Sequence, residues 1–172
     1  MLFISFFSIN AYGLQENHEI MGIKCESMEH SAYHIHTHLL IFIDGRSLDI
    51  PANIGISLDD NCLYWLHTHQ NDGIIHIESP TNITFTLGQF FAIWNYTKQN
   101  DFDILKQTLS KYDFPDPLVY INGNLLEVKD IFLIPLRDGD EIKLVYGNSS
   151  NLKSYFVFEK KFDSIHQSNK DL

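Results

Sequence analysis

Six of the nine histidines lie between positions 34 and 76. His34, His36 and His38 alternate with single residues, His67 and His69 repeat that spacing, and His76 and Glu78 follow closely. Side chains two apart on a β-strand point to one face, so each His-x-His run is a line of imidazoles. Neutral imidazole nitrogens bind borderline transition metals at ~2.0 to 2.1 Å, and neighbouring strands can hold them rigidly. A single strand histidine is usually an ordinary core or surface residue. Two pairs, one extended to three, with a further imidazole and a carboxylate, point to at least one metal site.

Spacing limits which donors share an ion. His34 and His38 are four residues apart on a strand rising ~3.3 Å per residue, which separates their Cα atoms by ~13 Å. The most economical site takes His36 and His38 together with His67, His69 or His76. His34 is a lower-ranked ligand, or serves a second ion with His30 or Met28, a combination that would suit copper. Glu78 is expected to orient an imidazole; the alternatives are a ligand or, if the protein is an enzyme, a general base. Thr37 and Thr68 face the other way and read as strand formers. Met21 and Met28 offer thioethers, although loop methionines usually only pack. His18 and His166 carry no role. The chain has no nucleophile elbow, phosphate loop, Cys-x-x-Cys or dinucleotide fingerprint.

The elements that must position these residues can be read outward from them. Residues 33–43 alternate as a strand, with both faces apolar beyond His38, as expected of a central strand. Asp44-Gly45 offers a hairpin turn, residues 46–50 a returning strand, and residues 52–61 a loop. Residues 63–69 and 74–78 form a second hairpin about the turn 70–73. That register sets His67 opposite His76 and Trp65 opposite Glu78, so His67, His69, His76 and Glu78 share a face. Thr86 and Gln89 make a capping box that starts a helix, whose apolar stripe is Leu87, Phe90, Phe91 and Trp94. A weaker helix spans 102–111, with Leu105 and Leu109 inward. A hairpin follows over 118–128 about Asn122-Gly123, then an ambiguous stretch at 131–136, a strand at 141–146 and a last strand at 152–158.

Length and composition bound the rest. The 172 residues are 44% hydrophobic and 13% aromatic, enough for one real core. The expected fold is α+β, a mostly antiparallel sheet built from hairpins with one or two packed helices. Twelve basic residues against 22 acidic give a net charge of −10 without any basic cluster, which disfavours nucleic acid and anionic membrane surfaces as partners. Residues 1–13 read as an export segment: an apolar run too short to span a bilayer, with no basic residue ahead of it. Residues 14–160 then form one domain, beginning with an irregular polar lead-in over 14–32. The histidine-bearing hairpins and helix lie at 33–95 and a hairpin-rich part at 118–158, ahead of a loose tail at 161–172.

Cys25 and Cys62 are the only cysteines, and Gly22-Ile23-Lys24 is no lipobox. In an exported chain a disulfide is favoured over free thiols or metal ligation. Sequons at Asn82, Asn95 and Asn148 agree weakly with an exported surface.

The blocks HIHTHLLIFIDG, IPANIGI, CLYWLHTHQNDGIIHIESP and TFTLGQFF resemble, in that order, a set of exported histidine-rich proteins of archaea and bacteria with no established activity. The resemblance covers roughly residues 25–94 and implies shared ligands at His36, His38, His67, His69 and His76, without supplying a function. The later stretch, from Val119-Tyr120-Ile121-Asn122-Gly123 to Asp138-Gly139-Asp140-Glu141-Ile142, resembles the closing part of a β-grasp-type module.

The function expected is an exported metal-binding protein, with copper ahead of zinc, that binds, delivers or sequesters the ion. Imidazole excess, the nearby methionines and the place of Cu²⁺ in the affinity order favour copper. The alternative is a zinc or copper enzyme in which a three-histidine site activates water for hydration or hydrolysis, as in a carbonic anhydrase. A structural or adhesive protein with a stabilising metal is the third reading.

Overall fold

A computed structural model of the chain describes residues 18–111 and 116–147. Thirteen strands and two α-helices run in the order β1 (Glu19–Ile20), β2 (Ile23–Glu26), β3 (Tyr33–Ile43), β4 (Arg46–Leu48), β5 (Ile56–Ser57), β6 (Cys62–Tyr64), β7 (Leu66–His67), β8 (Ile74–Ser79), β9 (Phe85–Thr86), α1 (Leu87–Thr97), α2 (Gln99–Lys111), β10 (Leu118–Ile121), β11 (Asn124–Leu126), β12 (Pro135–Leu136) and β13 (Glu141–Tyr146), with a 3₁₀ turn at Ile131–Leu133. The class is α+β, as its alternating hairpins and single capped helix require. The export segment at 1–13, the strand expected at 152–158, the tail at 161–172 and Asn148 fall outside the described residues.

The organising element is β3. Its edge at Tyr33–His38 pairs antiparallel with β8, and the same edge at Ile41–Ile43 pairs with β4. Along the opposite edge β13 lies parallel to it, from His38 to Ile43. The large sheet runs β11-β10-β13-β3-β8-β7, with β4 beside β3. A hairpin, a helical crossover, a second hairpin and a last strand parallel to the first make the order β4-β3-β13-β10-β11, which is that of a β-grasp. The grasp therefore enlists β3 and β4 as well as the C-terminal part, and its central pair is parallel. The 2-residue turns at Asp44-Gly45 and Asn122-Gly123 place both residues at positive φ, the conformation such hairpins need.

Odd-numbered residues of β3 and β8 face the helices. Leu39, Ile41, Ile75 and Ile77 are fully buried there with Leu87, Phe90 and Trp94 of α1. Thr86 caps α1 reciprocally with Gln89 as the sequence indicates. Leu105 is buried and Leu109 packs at the margin of the same core.

Two regions depart from the sequence reading. The lead-in is partly ordered: β1 and β2 form a hairpin that joins β6 and β5 in a second, four-stranded sheet. Cys25 of β2 is disulfide-bonded to Cys62 of β6. A single strand over 63–69 is likewise replaced by two short ones in different sheets. Trp65 is the crossing point, its N–H donating to Lys24 of the small sheet and its carbonyl accepting from Glu78 of the large one.

Candidate metal centre

The face of β3 and β8 away from the helices carries the donors. Pairing sets His36 opposite His76 and His34 opposite Glu78, and β7 sets His67 opposite His76 from the other side. His76 is thus the middle of a row His36, His76, His67 across three strands ~4.8 Å apart. The register expected of the 74–78 hairpin holds at His67 and His76. His69 lies beyond the end of β7, and its ring returns to His67, with the two Nε2 atoms 3.2 Å apart.

The donors form two sets. In one, ligand atoms of His67, His69, His76 and Glu78 lie within 4.8 Å of one another; in the other, those of His34, His36 and His76 do. In the second set His36 Nε2 is 3.2 Å from His34 Nε2 and 3.1 Å from His76 Nδ1. Metal–nitrogen bonds of ~2.0 to 2.1 Å put neighbouring ligand nitrogens about 2.9 Å (square-planar) to 3.4 Å (tetrahedral) apart. These spacings fall within that range, so the donors could hold a metal ion.

Orientation supports the fit. The Nδ1 of His67 is 2.9 Å from the Tyr64 carbonyl, which can only accept, so Nδ1 carries the proton and Nε2 keeps its lone pair toward His69. Glu78 is buried beside Oε1 contacts to His34 at 3.1 Å, His76 at 3.7 Å and His67 at 4.0 Å. Its Oε2 is buried and has no hydrogen-bond partner among the described residues. Leaving a charged oxygen so costs upward of ~1 to 3 kcal/mol, which an adjacent cation would offset.

Burial sets the protonation states. Desolvation, aided by His76 and His34, drives His36 down to about 4. Desolvation alone is the dominant cause at His67, also down to about 4. Burial by itself would raise Glu78, but the hydrogen bond with His76 and the imidazoles of His67 and His34 outweigh it and hold the carboxyl below its ordinary value. The folded centre therefore favours lone pairs on His36 and His67 and a charge on Glu78, and it is in those forms that such side chains bind a metal ion.

No protein-family model, curated protein or solved structure matches the chain. The chemistry accordingly rests on the donors themselves.

The expected residues divide as follows. His36, His67, His69, His76 and Glu78 come together, and His34 joins them. His38 does not. Two residues beyond His36, it is opposite Ile74, and its Nε2 bonds the Asp72 carbonyl at 3.0 Å while Nδ1 lies 3.7 Å from Glu141. His30 pairs with Glu26, and Met28 stands exposed, so neither accompanies His34 in its set. Met21 lines an apolar cavity of about 590 Å³ with Ile41, Phe91 and Phe102, against the opposite face of β3.

Several supporting residues escaped the sequence reading. Residues 51–55, read as plain loop, run beside β7 and fasten it. Thr68 donates to Pro51 at 2.8 Å and accepts from the Ile54 N–H at 3.0 Å, and its own N–H donates to Ile54 at 3.0 Å. Gly55, at φ +76°, lies so close that a Cβ would be 2.4 Å from the Leu66 carbonyl and 3.0 Å from His67 Cβ. That glycine in the IPANIGI block was the available signal. Glu29 reaches His69 at 3.7 Å, and the Asp138 carboxylate accepts from the His36 N–H at 3.2 Å; nothing in their spacing marked them.

Proposed function

We propose that the chain is an exported transition-metal-binding protein that takes copper in preference to zinc and serves in binding, delivery or sequestration. The observation that carries this reading is Glu78, a buried carboxylate whose Oε2 has no hydrogen-bond partner among the described residues and whose ion-pair partners there are all histidines. An anion so placed among imidazoles is most simply balanced by a cation.

Copper is favoured by donor chemistry alone, since imidazoles dominate both sets and Cu²⁺ leads the affinity order for such nitrogens. The methionines no longer contribute to that preference. An exchangeable site is supported over a closed structural one because His69 remains 41% exposed at its side chain while His67 is fully buried. Donors graded from interior to surface suit uptake and release. Carriage is supported over catalysis because the large apolar cavity lies on the other side of the sheet from the histidines. Export is supported by the Cys25–Cys62 disulfide, which an oxidising compartment maintains.

Metal analysis of protein purified without added metal, followed by competition titration with Cu²⁺ and Zn²⁺, tests the proposal. Micromolar or tighter binding with copper ahead is expected. Finding neither ion bound at that level overturns it.

A further inference from the structure

We infer that the centre holds two ions, bridged by the imidazole of His76. This deepens the metal-binding reading and rests on it.

One ion with bonds of ~2.0 to 2.1 Å needs every donor within about 4.2 Å of every other. The donors instead fall into two sets that meet at His76. The β-sheet explains why. His36 and His67 flank His76 from opposite strands, so their backbones are about 10 Å apart at a strand spacing of ~4.8 Å. Five imidazoles and a carboxylate also exceed the four ligands a single zinc takes.

The rings around His76 repeat the pattern. His36 and His69 each stand 4.5 Å from it between centroids, each at 83° to its plane. One ring from each set is thus placed alike beside His76, an arrangement that a ligand shared between two ions accommodates, while His67 lies nearly parallel to it at 5.4 Å. His76 Nδ1 is already committed toward His36, at 3.1 Å. The ring's second nitrogen is assigned to the ion of His67 and His69, with Glu78 Oε1 3.7 Å from His76 Nδ1 and 4.0 Å from His67 Nε2.

Forming the bridge breaks the remaining ring N–H bond. Its proton goes to solvent, both ring nitrogens then donate lone pairs to metal, and no electron is transferred. The resulting imidazolate and the Glu78 carboxylate supply two negative charges against the four of two divalent ions. The centre would remain cationic, within a chain of net charge −10.

Native mass spectrometry of the full chain titrated with CuCl₂, paired with electron paramagnetic resonance at liquid-helium temperature, tests this. Two copper ions per chain are expected, with integrated intensity well below one spin per copper because the bridge couples the pair. The double variant His34→Ala/His36→Ala removes side chains that are only half-buried, so the fold should survive. It should bind one copper and recover a full spin. One copper in the parent protein overturns the second ion and leaves the metal-binding reading standing. Two copper ions, each with a full spin, overturn the bridge. Binding of no copper overturns the proposed function itself.

Discussion

The two ligand sets are built from the same side chains on the same sheet face, yet they are supported differently. In the His67 set one imidazole is fully buried, its tautomer is fixed by the Tyr64 carbonyl, and its strand is fastened by residues 51–55. In the His34 set both β3 imidazoles are half-buried, and the His36 backbone is held by the exposed Asp138 carboxylate. Support of this kind, more than donor count, decides how much freedom is lost on binding. The His67 set should therefore bind first and release last, and the His34 set should fill later.

The largest break in that comparison is His76→Ala, because His76 belongs to both sets. Affinity should fall by more than about 100-fold at each, beyond what loss of an orienting partner usually costs. Isothermal titration with Cu²⁺ would read this. One set retained at its original affinity would show that the sets do not depend on a common ring.

Glu78→Gln should separate ligation from stability by the size of the effect. Copper affinity of the His67 set should drop about 10- to 100-fold, the usual range for a supporting carboxylate at a metal site. The metal-free protein should lose only a little melting temperature at neutral pH, because the fold holds the carboxyl below its ordinary value while its Oε2 has no hydrogen-bond partner among the described residues. A large fall in the metal-free melting temperature would mean that Glu78 is held for the fold and only incidentally near the histidines.

A smaller effect, confined to one set, is expected of Gly55→Ala. Positive φ together with a Cβ 2.4 Å from a backbone carbonyl predicts destabilisation of about 1 to 3 kcal/mol. Displacement of His67 should weaken its own set and leave stoichiometry at the His34 set intact. Equal weakening of both would argue that the fastening serves the whole sheet.

How much of this was legible depended on range. The His67–His76 opposition could be read because a short turn carries parity across a hairpin, and the α1 cap because its partners are three residues apart. The parallel contact of β3 with β13 could not, since it joins residues about a hundred positions apart with no local signal. His38 was expected among the ligands because alternation gives the face and not the neighbour. Only the long-range pairing reveals that Ile74 stands opposite it on β8 and Glu141 on β13, away from the other histidines. His34 was discounted by its distance from His38. That reasoning was sound for the pair, but the structure joins His34 to Glu78 and His76 instead. The sheet change at Trp65 was hidden because Leu63-Tyr64-Trp65-Leu66 is a continuous apolar run with no local mark of a change of partner.

The mildest probe of the contrast is acid acting on the metal-free protein. His67 and His36 titrate at about 4 when folded, against about 6.5 for an unperturbed imidazole. Between those values the unfolded chain binds protons that the folded chain refuses, so the share of stability held by these two histidines must decline as pH falls from about 6.5 toward 4 and level off below. The two shifts are of like size, so each histidine should carry a like share of the decline. Melting temperatures across that window should therefore flatten to a similar degree in His67→Gln and in His36→Gln. A slope lost in one variant alone would show that only that imidazole is kept neutral by the fold and would set the two sets apart at this level too.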